Sequence, residues 1–451
     1  MDDLAQNPNR YLAGNYAPVT EEVTAFDLPV TGHLPEQLDG RYLRIGPNPI
    51  TPPDPSAYHW FTGDGMAHGL RLRDGKAEWY RNRFIRSTKV SEALGEAPRP
   101  GERHGGMDTV NTNIIGHAGK TFALVEAGAR PVELTDDLDT VCHTDLGGTL
   151  PNGYTAHPKR DPLTGELHAM AYYWGLPRVQ YVVIGTDGRV NRVEPVQVKG
   201  SPMMHDCSLT QDNLVVYDLP VTFDTEAAMG GSVFPYAWNN DYGARVGVMP
   251  RGGTDADTRW FEIEPCYVFH PLNAFDDGET VVLDVARHPR MFDGDRLGPN
   301  DGPPTLWRWT VDLGSGVVKE EQLSDRPQEF PRVDERVVSL PHRYGYTDTL
   351  SVGKDVGFDG NAIVKTDFTT GTEEVHDFGP DHAAGEAVFV PRSADAAEDD
   401  GWIMALVYDA ANDCSDLVVL DGQDFTGDPV AQVHLPQRVP FGFHGNWVAA
   451  S

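Results

Sequence analysis

Short apolar runs with a period of two, separated by tight-turn residues, recur every 8 to 15 residues from Arg41 to the C-terminus. Side chains of a strand alternate between two faces, so runs of this kind bury their apolar side only by packing sheet against sheet. His68–Leu72 and Ala77–Tyr80 flank Asp74-Gly75 and read as a hairpin. Comparable units are Tyr181–Ile184 before Asp187-Gly188, Val281–Val285, Leu306–Val311, and Trp402–Tyr408 paired with Leu417–Leu420. Asp-Gly occurs ten times. Aspartate tolerates left-handed backbone and glycine has no Cβ to clash, which is what a type I′ turn requires. Helical pattern is scarce: Thr88–Ala97 is a weak candidate and Thr225–Gly231 a short helical turn.

Strand runs this regular point to a sandwich, a barrel or a propeller. The chain has 451 residues and no stretch that reads as a linker, so residues 1–451 are expected to form a single all-β unit. Sandwiches seldom need that length, whereas about seven blades of four strands, at roughly 50 to 60 residues each, would use it fully. No W-D or kelch repeat is visible, so this blade count rests on length.

Charge narrows the partners. A net −32, from 68 acidic against 36 basic residues, repels nucleic acid phosphates and anionic lipid headgroups and favours solubility. Cys142, Cys207, Cys266 and Cys414 are far apart and form no C-x-x-C pair, which argues against a disulfide framework or a zinc ribbon. The opening M-D-D-L-A-Q-N-P-N-R-Y lacks a basic and an apolar signal region, and no apolar run reaches the roughly 18 residues of a membrane span. A reduced, cytoplasmic protein is expected.

Four of the sixteen histidines stand out by their surroundings: His157 in N-G-Y-T-A-H-P-K, His205 in M-M-H-D-C-S-L-T, His270 in C-Y-V-F-H-P-L-N and His444 in P-F-G-F-H-G-N-W. Each borders an apolar strand and a turn, where a propeller presents side chains to its axis. Gaps of 48, 65 and 174 residues put them on different blades. Four converging imidazoles would make a metal site, and imidazole suits iron, copper, zinc or nickel alike. His143-Thr144-Asp145 has the H-x-D spacing of a facial triad but lies in a polar stretch that reads as a solvated turn.

From about Asp39 to Trp447 the chain resembles the carotenoid cleavage oxygenase superfamily. L-D-G-R-Y-L-R-I-G-P-N-P is similar to that family's opening motif, and Y-H-W-F-T-G-D-G-M-A-H to its H-W-F-D-G-D-G-M-x-H, with threonine where aspartate is usual. G-F-H-G-N-W is the most specific of the histidine motifs. The resemblance implies a seven-bladed propeller with Fe(2+) on its axis, held by His157, His205, His270 and His444. It implies orienting glutamates at Glu126, Glu329 and Glu386, with Glu335 a neighbouring alternative to Glu329. It further implies a cap over the iron-bearing face, to which 219–251 contributes Phe223, Met229, Val233, Phe234, Tyr236, Trp238 and Met249. An apolar cap rim would allow peripheral membrane contact by hydrophobic rather than electrostatic means.

The activity implied is dioxygen-dependent cleavage of a carbon–carbon double bond in an apolar small molecule, giving two carbonyl products. Stilbene-cleaving members activate a phenol with a lysine just before the orienting glutamate and a tyrosine some thirty residues upstream. Here Val125 precedes Glu126 and Phe84–Ala97 contains no tyrosine, so a carotenoid or apocarotenoid is the expected substrate, with Lys89 the other nearby cation. The rival readings are a stilbenoid-cleaving dioxygenase, a non-enzymatic propeller scaffold, and a calcium-dependent propeller hydrolase, for which D-x-D-x-D loops are missing.

Overall fold

The computed structural model describes residues 9–299, 301–351 and 359–450. Seven sheets of four or more strands form a seven-bladed β-propeller. Blades two to six start respectively with Asn113–His117, Lys159–Arg160, Cys207–Leu209, Tyr267–Asp277 and Gln328–Arg332, and all but the fourth use consecutive strands. The chain ends are exchanged between the remaining two blades. Gly445–Ala449 pairs with Gly40–Pro47 in the first blade, and Val30–Gly32 pairs with Ala431–His434 at the edge of the seventh. Joining residues some 400 positions apart in this way leaves the ring no seam.

The expected hairpins form: Leu72 lies opposite Ala77, and Leu406 opposite Leu417. The turn reading needs correction, however. Asp74 and Gly75 both have positive φ, 50° and 69°, as a type I′ turn demands, but no other Asp-Gly pair among the described residues does. Gly65 and Gly401 instead start strands where a Cβ would fall 1.8 Å from the Val110 carbonyl oxygen and 2.3 Å from that of Val390. At those places glycine serves close backbone approach rather than a turn.

Apolar faces meet between blades. Met170, Tyr181, Val216, Val248, Leu283 and Trp309 belong to one core joining blades three to five. Tyr42, Leu70, Met404 and Leu417 belong to another, between blades one and seven. The first helix is shorter than its pattern predicted, Thr88–Ala93, with the Ser87 hydroxyl accepting from the Val90 N–H at 3.2 Å. Between Asn213–Asp218 and Ala244–Pro250 the chain leaves the fourth blade. There Val221–Phe223 pairs with Tyr236–Trp238, and Thr225–Met229 forms a single helical turn. The last part of the expected cap segment, Ala244–Pro250, is therefore a blade strand.

Candidate metal centre

His157 and His205 each lie two residues before the inner strand of their blade, the third and fourth, and His444 directly precedes Gly445–Ala449 in the first. His270 sits inside Tyr267–Asp277 of the fifth, where the register slips between Val268 and Pro271. A bulge of this kind re-aims a side chain, here toward the axis. All four are buried, and their candidate ligand atoms lie within 4.8 Å of one another. His205 Nε2 and His270 Nε2 are 3.2 Å apart.

The other three blades supply carboxylates. Glu126 follows Lys120–Leu124 of the second blade, Glu329 lies in Gln328–Arg332 of the sixth, and Glu386 interrupts the inner edge of the seventh. His205 Nδ1 lies 2.5 Å from Glu126, His270 Nδ1 2.6 Å from Glu329 and His444 Nδ1 2.8 Å from Glu386. An Nδ1–H donated to each carboxylate leaves the Nε2 lone pair free to face the axis. Ala127 and Phe330, just after two of the glutamates, hold left-handed φ values of 63° and 50°. Backbone strain at such positions persists where packing enforces it.

Electrostatics follow from burial and neighbours. Burial lowers His270 to about 3, with Glu329 opposing that shift. Burial, then the three neighbouring imidazoles, hold His157 well below its ordinary value. Burial also disfavours the His205 cation, but Glu126, Asp206 and Glu329 outweigh it and raise that histidine. Burial works against an ionised Glu386 too, yet Arg332 and His444 bring it down to about 2. Glu386 is thus a charged acceptor, and His157 and His270 are held as neutral imidazoles.

Partners behind the glutamates carried no signal of their own in the sequence. His288 Nε2 approaches Glu329 at 3.1 Å, and Arg332 meets Glu386 at 3.0 Å. Arg332 does lie in the E-F-P-R run, so the motif contained it, but its role depends on a residue 54 positions away.

Two cavities meet at the histidines. One, of about 250 Å³, includes Phe61, Val125, Phe234, Phe269, Phe330 and Phe443 in its wall. The other, of about 270 Å³, lies among the inner strands and includes Lys159, Arg160, Asp206, Arg332 and Glu335. The remaining sequence candidates lie elsewhere. His143 ends an outer strand of the second blade and is buried, contrary to the solvated turn expected there, while Asp145 accepts from the Gly148 N–H. Glu335 pairs with Arg332 at 2.9 Å, not with a histidine. Lys89 is exposed and pairs with Asp64 at 2.7 Å, away from the residues lining the apolar cavity.

Comparison with known proteins agrees with this geometry. A family model described as RPE65, retinal pigment epithelial membrane protein, matches residues 16–449. A carotenoid cleavage oxygenase from Mycobacterium tuberculosis (strain ATCC 25618 / H37Rv) is 50% identical, over 98% of each chain. The chain belongs to the carotenoid cleavage oxygenase family. Among solved members, the crystal structure of Pseudomonas brassicacearum lignostilbene dioxygenase superposes with a TM-score of 0.90 at 29% identity, covering 98% of this chain and 99% of that one. Cobalt-substituted Synechocystis ACO gives 0.85 at 27% identity, covering 96% and 97%. In this member of the family the four-histidine cluster is thus a place where a metal could bind, with His205, His270 and His444 at the floor of the apolar cavity and His157 on the polar one.

Proposed function

We propose that this protein is an iron(II)-dependent dioxygenase that cleaves a carbon–carbon double bond of a carotenoid or apocarotenoid into two carbonyl products. The carrying observation is the set of four buried imidazoles, three with Nδ1 against a carboxylate, of which those three also form the base of the apolar cavity. The residues fit a ferrous ion: His157 Nε2 is buried without a hydrogen-bond partner, and a neutral four-nitrogen donor set suits a divalent metal of this class. His157, His205, His270 and His444 would hold the ion, and Glu126, Glu329 and Glu386 would fix three of the rings. Iron, when bound, supplies the electron relay that lets dioxygen react with an alkene.

The chain's own residues do the rest. Phe61, Phe234, Phe269, Phe330 and Phe443 offer aromatic faces to a polyene and exclude water from the reacting bond. Val125, beside Glu126, offers no cation to a phenolate, and burying that anion unpaired would cost several kcal/mol. A polyene needs no ionisation. Trp174 and Val233 line the cavity and are exposed, with Leu176 and Met229 also exposed. These four give the protein an apolar rim for peripheral contact with the membrane that stores such substrates. No helix among the described residues is long and apolar enough to cross a membrane.

Stilbenoid cleavage is the second reading, favoured by the close superposition on a lignostilbene dioxygenase. Incubation of iron-loaded protein with an apocarotenal and with resveratrol, followed by mass spectrometry, separates the two. Two shorter carbonyl products from the apocarotenal support the first reading. Hydroxybenzaldehydes from resveratrol with the apocarotenal untouched overturn the substrate, and no iron uptake or turnover at all leaves a scaffold.

A further inference from the structure

Three of the four axial imidazoles rest on a glutamate; His157 does not. We propose that Asp206, clamped by Lys159, is the positioning carboxylate of His157 and completes the outer support of the metal centre. Asp206 Oδ2 lies 3.7 Å from His157 Nδ1, and its side chain is 2% exposed. The same oxygen receives Lys159 Nζ at 2.7 Å, and Oδ1 accepts the Cys207 N–H at 2.6 Å, so the carboxylate is held in place independently of the histidine.

The placement follows from the blades. Lys159 comes two residues after His157 at the inner edge of blade three, and Asp206 directly follows His205 at the inner edge of blade four. Two neighbouring ligand segments thereby each give one half of the ion pair. If His157 presents Nε2 to the axis, like its three partners, its proton must sit on Nδ1. Asp206 is the carboxylate within reach of that atom among the described residues. A buried N–H without an acceptor is rarely tolerated, and both groups border the polar cavity, which gives the ring room to close the gap or a water room to bridge it. Aspartate is one methylene shorter than glutamate and is shared with a lysine. His157 is therefore the least firmly held of the four ligands.

This inference rests on the four-histidine reading, and the test separates the two. Dissociation constants for Co²⁺ are measured by titration of metal-free full-length protein for Asp206→Asn, in the wild-type and in the His157→Ala background. Acting through His157, Asp206→Asn should weaken Co²⁺ about 10- to 100-fold in the first background and less than about twofold in the second. A nitrogen-15 spectrum of the histidine rings should show the His157 Nδ1–H resonance shifted by Asp206→Asn and those of the other three ligands unmoved. Unchanged affinity, or equal losses in both backgrounds, would overturn the role of Asp206. Failure of the wild type to bind Co²⁺ would instead overturn the metal reading on which it rests. Should Asp206→Asn not fold, Lys159→Met, which keeps the carboxylate and releases its clamp, is read in the same two backgrounds with the same criteria.

Discussion

The two cavities that meet at the histidines are nearly equal in volume and opposite in chemistry. The 250 Å³ space beneath the cap is walled largely by phenylalanine, tryptophan, valine and methionine. The 270 Å³ space between the inner strands carries two arginines, a lysine, an aspartate and two glutamates. One propeller can hold both because the loops above the strands are free to be apolar. The inner strands must instead satisfy one another's polar groups across a narrow axis. The histidines form the partition. On one side they meet a low-dielectric space suited to a polyene, and on the other the Arg332 charge that helps to hold Glu386 ionised.

Removing the partition should have the largest effect. His270→Ala is expected to lose activity to background and to bind iron more weakly through the three remaining imidazoles, and normal turnover in that variant would break the assignment. Next is an exchange of character on the apolar side. Phe234→Asp places an unpaired carboxylate in the cap wall, at a cost of several kcal/mol, and should lower kcat/KM for an apocarotenal by about 100-fold or more while iron content stays normal. Glu335→Gln on the polar side removes only a half-exposed ion pair and should change it by less than about fivefold. Similar losses from both substitutions would erase the distinction between the cavities.

A third prediction concerns the charge behind the partition. Glu386 is lowered to about 2 from an ordinary 4.5, so its contribution to stability is complete above about pH 4.5 and is lost as the pH falls toward 2. Metal-free Glu386→Gln should be less stable than wild type at neutral pH, with a flatter dependence between pH 4.5 and 2 in denaturant titrations. Parallel pH dependences would contradict the ionised state. The last prediction is Val125→Lys, which brings a cation to the apolar side and should raise resveratrol cleavage about tenfold at the expense of apocarotenal turnover. An unchanged substrate preference would show that the cation beside Glu126 does not decide the substrate.

Much of this was legible in the sequence because it is local. Alternation and an Asp-Gly turn were enough to place the Leu72–Ala77 hairpin, and motif context picked out the four histidines and three glutamates that the structure brings together. What stayed hidden is non-local. Nothing near Val30 announces that its strand completes a blade begun at His382, more than 350 residues on. Lys159, Asp206 and His288 read as ordinary polar residues, since each acquires its role from a partner on another strand. Asp-Gly was read as a turn signal because composition does not reveal the carbonyl oxygen of Val110 or Val390 pressing on a strand's first residue.

The central claim, that one iron is held by four imidazoles, is tested most directly by X-ray absorption at the iron edge of anaerobically loaded protein. The expected result is one iron per chain with four imidazole nitrogens in its shell, falling to three in each of His157→Ala, His205→Ala, His270→Ala and His444→Ala. A carboxylate oxygen in the wild-type shell, or a shell unchanged by any one of the four substitutions, would contradict it.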